Sequence, residues 1–268
     1  MKLFLSLIIS LFITSAVFAE GVSAYLVGSY MDEKRVKEKL ADAGFEVLAS
    51  YASVKKGTTI VFTNDALKKE GAKPGRAHAA VLRIFVDAKE KTISLTNPLY
   101  FGRAFMQDDY DSSVFKALHS SLTSTFSELS SSKDMLEDDD LAGYHFMMGM
   151  PYYEDADKLA KGNNDNLIAQ AKSYKDGKLL VFELKLSDTS TLLGYDLGKR
   201  TKKFVKKIGR NNAAVLPYCI SIENGVAKSL EAKYYLALSY PLLTMSEFTT
   251  IATVPGAIKK DLSKPFKK

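Results

Sequence analysis

The feature that most constrains this chain is its similarity to itself. Gly57-Thr-Thr-Ile-Val-Phe62 lines up with Gly177-Lys-Leu-Leu-Val-Phe182 at an offset of 120 residues. Upstream, Val47-Leu48-Ala49 falls on Leu167-Ile168-Ala169 at the same offset, and Tyr25-Leu-Val-Gly28 falls on Phe146-Met-Met-Gly149 at 121. Downstream, Ala79-Ala-Val-Leu82 repeats identically as Ala213-Ala-Val-Leu216 at 134, and Tyr100 then meets Tyr234. The matches keep their order, as a tandem duplication requires. The rise in offset predicts an insertion of 14 residues in the second copy, between Phe182 and Ala213.

The first copy reads as a small sheet with helices. Val22 to Tyr30 is apolar and strand-like. Asp32 can cap a helix in which Val36 and Leu40 share a face, and Gly44 ends it. Strands follow at Phe45 to Ser53, Thr58 to Thr63, Ala79 to Asp87 and Thr92 to Thr96, and a helix with apolar residues at helical spacing runs from Asp111 to Ser127. The second copy is expected to repeat this order. Its first helix lies around Tyr153 to Lys161, a tight hairpin turns at Glu223-Asn-Gly225, and its last helix, Thr244 to Leu262, is interrupted at Pro255-Gly256. The expected class is α+β, with two tandem copies of a β-α-β-β-β-β-α unit and the 14-residue basic insertion in the second. Residues 1–19 form a signal peptide, 20–127 the first repeat, 128–143 an acidic, Ser-rich linker and 144–268 the second repeat.

Leu216-Pro217, the strand to Ile222, the Glu223-Asn224-Gly225 turn and the strand after it carry a resemblance, as does Asn97-Pro98 in the first half. In these features each half resembles the family called domain of unknown function 302. The first half departs from that pattern with Leu82-Arg83 in place of Leu-Pro, and the second with Glu231-Ala232 in place of Asn-Pro. The resemblance implies the fold of each half and no activity.

Lys2, the apolar run Leu3 to Phe18, and small residues at Val17 and Ala19 predict export with cleavage after Ala19, and no transmembrane segment after that cleavage. The destination is the periplasm if the source is Gram-negative. One cysteine, Cys219, excludes an internal disulfide. With 46% hydrophobic and 25% charged residues, the chain can bury a core without metals or bridges.

Chemistry-bearing patterns are sparse. There is no Gly-x-Ser-x-Gly elbow and no His-Glu-x-x-His helix, and His78, His119 and His145 are not repeated between the halves. The least ordinary segment is Lys199 to Arg210, with seven cations in twelve residues; as a helix it puts Leu197, Thr201, Phe204, Val205 and Ile208 on one face. The expectation is an exported, non-enzymatic binding protein with no resident cofactor. Its partner is an anionic surface, a lipid or another exported protein, engaged through Lys202, Lys203, Lys206 and Lys207, or an apolar ligand near Tyr100 and Tyr234. Nucleic acid is not an expected partner. The alternative is copper or haem binding through His145, Met147 and neighbouring methionines, with core packing as the competing reading of those residues. A third class is a thiol or hydrolytic enzyme using Cys219.

Overall fold

A computed structural model describes residues 21–267. The segment 1–19, expected to be a signal peptide, lies outside the described residues. The protein is an α+β molecule with antiparallel sheets.

The first repeat contains β1 (Val22–Ser23), β2 (Tyr25–Ser29), α1 (Glu33–Asp42), β3 (Glu46–Val54), β4 (Gly57–Thr63), α2 (Asp65–Gly71), β5 (Leu82–Asp87), β6 (Thr92–Thr96), α3 (Pro98–Met106) and α4 (Ser112–Thr125). The connector adds β7 (Ser130–Ser131), β8 (Met135–Leu136) and α5 (Asp138–Leu141). The second repeat contains β9 (Asp157–Lys161), α6 (Asn164–Ser173), β10 (Leu180–Lys185), β11 (Ser190–Tyr195), α7 (Phe204–Ile208), β12 (Tyr218–Glu223), β13 (Val226–Ser229), α8 (Ala232–Ser239), α9 (Met245–Thr250) and α10 (Val254–Ser263). One sheet runs β3-β4-β5-β6-β2, with β7 as a sixth strand beside β2; the other runs β10-β11-β12-β13-β9. The two orders are the same walk through two copies of one unit.

Local chemistry explains several boundaries. The Asp32 carboxylate accepts the Arg35 amide at 2.9 Å and starts α1, whose Val36 and Leu40 are fully buried. Asn163 does the same for α6, where Leu167 and Ala171 sit one turn apart on the buried face. The β12–β13 hairpin turns through Asn224 and Gly225, at φ +48° and +77°, the backbone a two-residue hairpin needs.

The duplication has a different register from the one the short matches suggest. Gly57–Thr63 corresponds in the sheet to Ser190–Tyr195, not to Gly177–Phe182, which leads into the edge strand β10, the counterpart of β3. Tyr25–Ser29 corresponds to Asp157–Lys161, so the helix expected at Tyr153 to Lys161 is a short 3-10 turn followed by a strand. Leu167 to Ala169 lies in α6 rather than in a strand. Pro255 opens α10 instead of interrupting a longer helix, since a proline near the first turn forfeits no hydrogen bond.

With this register the basic segment is no added block. Residues 64–81 connect β4 to β5, and residues 196–217 connect β11 to β12; the lengths differ by four. Both connections end alike, in Gly75-Arg76 followed by Ala79 to Leu82 and Gly209-Arg210 followed by Ala213 to Leu216. The expected 14-residue insertion came from matching β4 to β10, one strand too early. The connector 128–143 is also more than a spacer. Its Glu137 to Asp140 side chains are exposed, but β7 extends the first sheet and β8 pairs with β1.

Across the interface, α3 and α8 exchange matched hydrogen bonds. The Tyr100 hydroxyl donates to the Leu238 carbonyl at 2.8 Å, and the Tyr234 hydroxyl donates to the Ala104 carbonyl at 3.2 Å. Each tyrosine thus caps the residue four positions beyond its own counterpart, which is the signature of a pseudo-twofold axis between the repeats. The largest core cluster draws side chains from both repeats, so neither repeat buries its apolar face alone. A second cluster joins Val61, Ala77, Ala80 and Val81 to Phe182, Leu184, Leu192 and Cys219.

Candidate cationic groove

A groove of about 500 Å3 is lined by Lys55, Lys56, Lys89, Lys206 and Arg210. Three elements from both repeats deliver these cations. Lys55 and Lys56 occupy the tight β3–β4 turn, in which Lys56 takes φ +58°. Lys89 lies in the β5–β6 turn. Lys206 and Arg210 come from α7 and the segment after it, held down by the buried Phe204 and Val205.

The cations are not equally available. Arg210 is a fixed part of the wall: its Nε and Nη2 meet the two Asp87 oxygens at 2.7 Å each, and Nη2 also donates to the Lys55 carbonyl at 3.2 Å. Burial by itself would raise the Asp87 carboxyl, but the Arg210 fork and the Glu90 and Lys89 amides outweigh it and hold Asp87 below its ordinary range. The same pair raises Arg210. Lys89 is paired with Glu90. Among the described residues Lys55, Lys56 and Lys206 have no carboxylate partner within salt-bridge distance. Three unneutralised ammonium groups therefore share one concave surface.

The four lysines singled out in the basic segment do not act together. Lys206 lines the groove, whereas Lys202 turns back to Asp196 at 2.9 Å and contacts the Tyr51 hydroxyl. The Tyr51 hydroxyl in turn is hydrogen-bonded to Asp196, and burial with that carboxylate raises its pKa. Lys207 donates to the Thr250 carbonyl at 3.2 Å, and Lys203 is exposed. The segment is 3-10 at Thr201–Lys203 before it becomes α7, so its lysines fan out in several directions. Its apolar face does pack inward as the spacing predicts, through Leu197, Thr201, Phe204 and Val205.

Tyr100 and Tyr234 line no ligand space: they are 0% and 1% exposed and occupied by the hydrogen bonds between α3 and α8. His145 and Met147 lie in an irregular segment rather than on a strand. The His145 ring lies tilted against Tyr152, centroids 4.5 Å apart, and its Nδ1 lies 3.3 Å from the Gly143 carbonyl, while Met147 and Met148 are exposed. Among the described residues no three His, Cys, Asp or Glu side chains form a cluster able to hold a metal ion. Cys219 is buried, its Sγ 3.1 Å from Arg83 Nη2; burial raises the thiol and Arg83 offsets only part of that rise. Asp109 pairs with Arg76 and Asp111 caps α4. No helix among the described residues is long and apolar enough to cross a membrane.

Sequence reasoning missed Lys55, Lys56 and Lys89. Lys55-Lys56-Gly57 between two strands is a turn signal, but nothing in the sequence brings that turn beside Lys206. The chain matches no family model, no curated protein and no solved structure.

Proposed function

We propose that the protein is an exported, non-enzymatic binding protein that recognises a phosphate- or sulfate-bearing partner through the cationic groove. The observation that carries this reading is the convergence of Lys55, Lys56 and Lys206 without carboxylate partners. Like charges brought together weaken a fold unless something compensates, so such a cluster is better understood as a site waiting for an anion than as packing. Lysine suits the role: its ammonium is a point charge on a flexible stem and binds phosphate without a fixed fork geometry. The Asp87–Arg210 pair fixes the groove floor, so the lysines project from a rigid base.

The test is equilibrium binding of inositol hexakisphosphate, and separately of phosphatidylglycerol vesicles, to wild type and to Lys55→Glu/Lys56→Glu/Lys206→Glu. The expected result is saturable wild-type binding that weakens with salt and falls at least ~100-fold in the triple variant, with unchanged thermal stability. Binding of the soluble polyanion alone identifies a free ligand, and binding of vesicles identifies a headgroup. Equal affinity of the wild type and the variant for both probes contradicts the proposal.

A further inference from the structure

Between the repeats lies a second, narrower and more enclosed space, different in character from the groove. It is walled by His78, Arg83, Phe105, Tyr218, Cys219 and Tyr235, all of them buried. The centre of a water-sized particle can move within about 10 Å3 there, about the least that admits a single small particle.

Arg83 sets the chemistry. It is 4% exposed, its Nη2 is spent on the Cys219 sulfur at 3.1 Å, and its buried Nε has no hydrogen-bond partner. Among the described residues no carboxylate lines the cavity. Burying a guanidinium without an anion is among the costliest things a fold can do, and an orphaned N–H adds to the cost. The other walls do not supply the missing charge. His78 is held neutral, because burial and the Arg83 charge push it down to about 3. The Tyr218 hydroxyl is committed to the Leu230 carbonyl at 2.8 Å. A water molecule could satisfy the Nε–H but would leave the charge unbalanced. A cation is excluded by Arg83 itself.

The internal duplication sharpens the case. At the offset of 134 that joins Ala79 to Ala213, His78 corresponds to Asn212, Arg83 to Pro217, and Cys219 to Phe85. The twofold-related place is therefore apolar where this one has an arginine and a thiol, and Asn212 there is hydrogen-bonded to the Ser239 carbonyl at 2.7 Å. The cation has been introduced on one side of the axis only, at Arg83, the position where the first half departs from the Leu-Pro pattern.

We propose that this cavity is a buried monoanion site that holds one chloride ion against Arg83. The chloride supplies the missing charge and accepts from the Arg83 Nε–H, so the native protein binds it and the unfolded chain does not.

The test compares thermal unfolding in sodium chloride and sodium gluconate at equal ionic strength and pH, with equilibrium dialysis of radiolabelled chloride against the native protein. One chloride should bind per chain. At a chloride concentration tenfold above Kd, Tm should rise by about 3–6 °C over gluconate. Arg83→Met should abolish both effects, and Cys219→Ser should keep them. Dialysis on the wild type needs no variant to fold, so absence of bound chloride at 100-fold molar excess overturns the proposal. So does loss of the chloride effect in Cys219→Ser together with thiolate absorbance near 240 nm in the wild type, which would make Cys219 the counter-charge.

Discussion

The two connections that cross between strands solve one problem in two ways. In the first repeat, the segment after α2 reaches the second repeat with a backbone group: the Gly75 amide donates to both oxygens of Glu223 at 3.1 and 3.0 Å, at the β12–β13 hairpin. In the second repeat, the segment after α7 reaches back with a side chain, and Arg210 grips Asp87 at the β5–β6 hairpin. The positions match, since Gly75-Arg76 corresponds to Gly209-Arg210. In the first repeat, however, Arg76 turns to Asp109 and lies over the Tyr153 ring. The difference teaches where the duplicated unit was free to change. Its strand order and reciprocal tyrosines are kept, while the charge at the two ends has diverged. One end carries Lys55, Lys56, Lys89 and Lys206; the β10–β11 turn at the other carries Asp188, and the hairpin there Glu223.

The comparison can be broken most severely at the tethers. Asp87→Asn leaves the partly buried Arg210 without its counter-charge and should cost about 3–5 kcal/mol in chemical denaturation at pH 7. Glu223→Gln removes a charge from an amide–carboxylate contact near solvent and should cost about 1 kcal/mol or less. Equal costs would mean that the two tethers are energetically alike despite their chemistry.

His78 provides the next largest difference. Its folded pKa of about 3 lies below the ordinary 6.5, so between those values the unfolded chain binds a proton that the folded chain refuses. Its contribution to stability is present above pH 6.5 and is lost as pH falls, at up to about 1.4 kcal/mol per pH unit. His78→Asn, which copies Asn212 of the other repeat, should remove that slope between pH 6.5 and 4.5, a window above the range where carboxylates dominate. The comparison is the pH dependence of the urea midpoint in the two proteins.

The smallest effect expected is within the symmetric pair of tyrosines. Tyr100→Phe should cost about 1–1.5 kcal/mol, because Leu238 sits in the last turn of α8 and its carbonyl depends on that hydroxyl. Tyr234→Phe should cost about 0.5 kcal/mol, since the Ala104 carbonyl also accepts from the Gln107 side chain at 2.5 Å. Thermal unfolding of the two single variants measures the difference.

Much of the scaffold was legible in the sequence where a cap or a turn anchors the period. Asp32 with Val36 and Leu40, and Asn224-Gly225, each mark a boundary that the structure keeps, whereas the helices α3 and α8 are absent from the expected order. The duplication was visible because Ala79 to Leu82 and Tyr100 match Ala213 to Leu216 and Tyr234 at 134, close to the offset that the two sheets keep. The register of the repeat was not, because apolar strands resemble one another and a short match cannot tell β10 from β11. Asn163 capping a helix with Leu167 and Ala171 was available as the correcting signal. The groove was only half legible. Lys206 stands in a conspicuous run of charge, but Lys55, Lys56 and Lys89 belong to ordinary turns that become neighbours only when the repeats pack. Nothing in the sequence brings Arg83 beside Cys219; the burial of the pair emerges only from the packing of the repeats.

We propose that one end of this duplicated fold, and not its twofold counterpart, receives an anion. An NMR titration of the isotopically labelled protein with inositol hexakisphosphate tests this most directly, because it reports on both ends at once. Saturable shifts are expected at residues 54–57, 88–91 and 203–210, with none at the β10–β11 turn. Shifts spread evenly over surface lysines, or centred on residues 186–190, would contradict it.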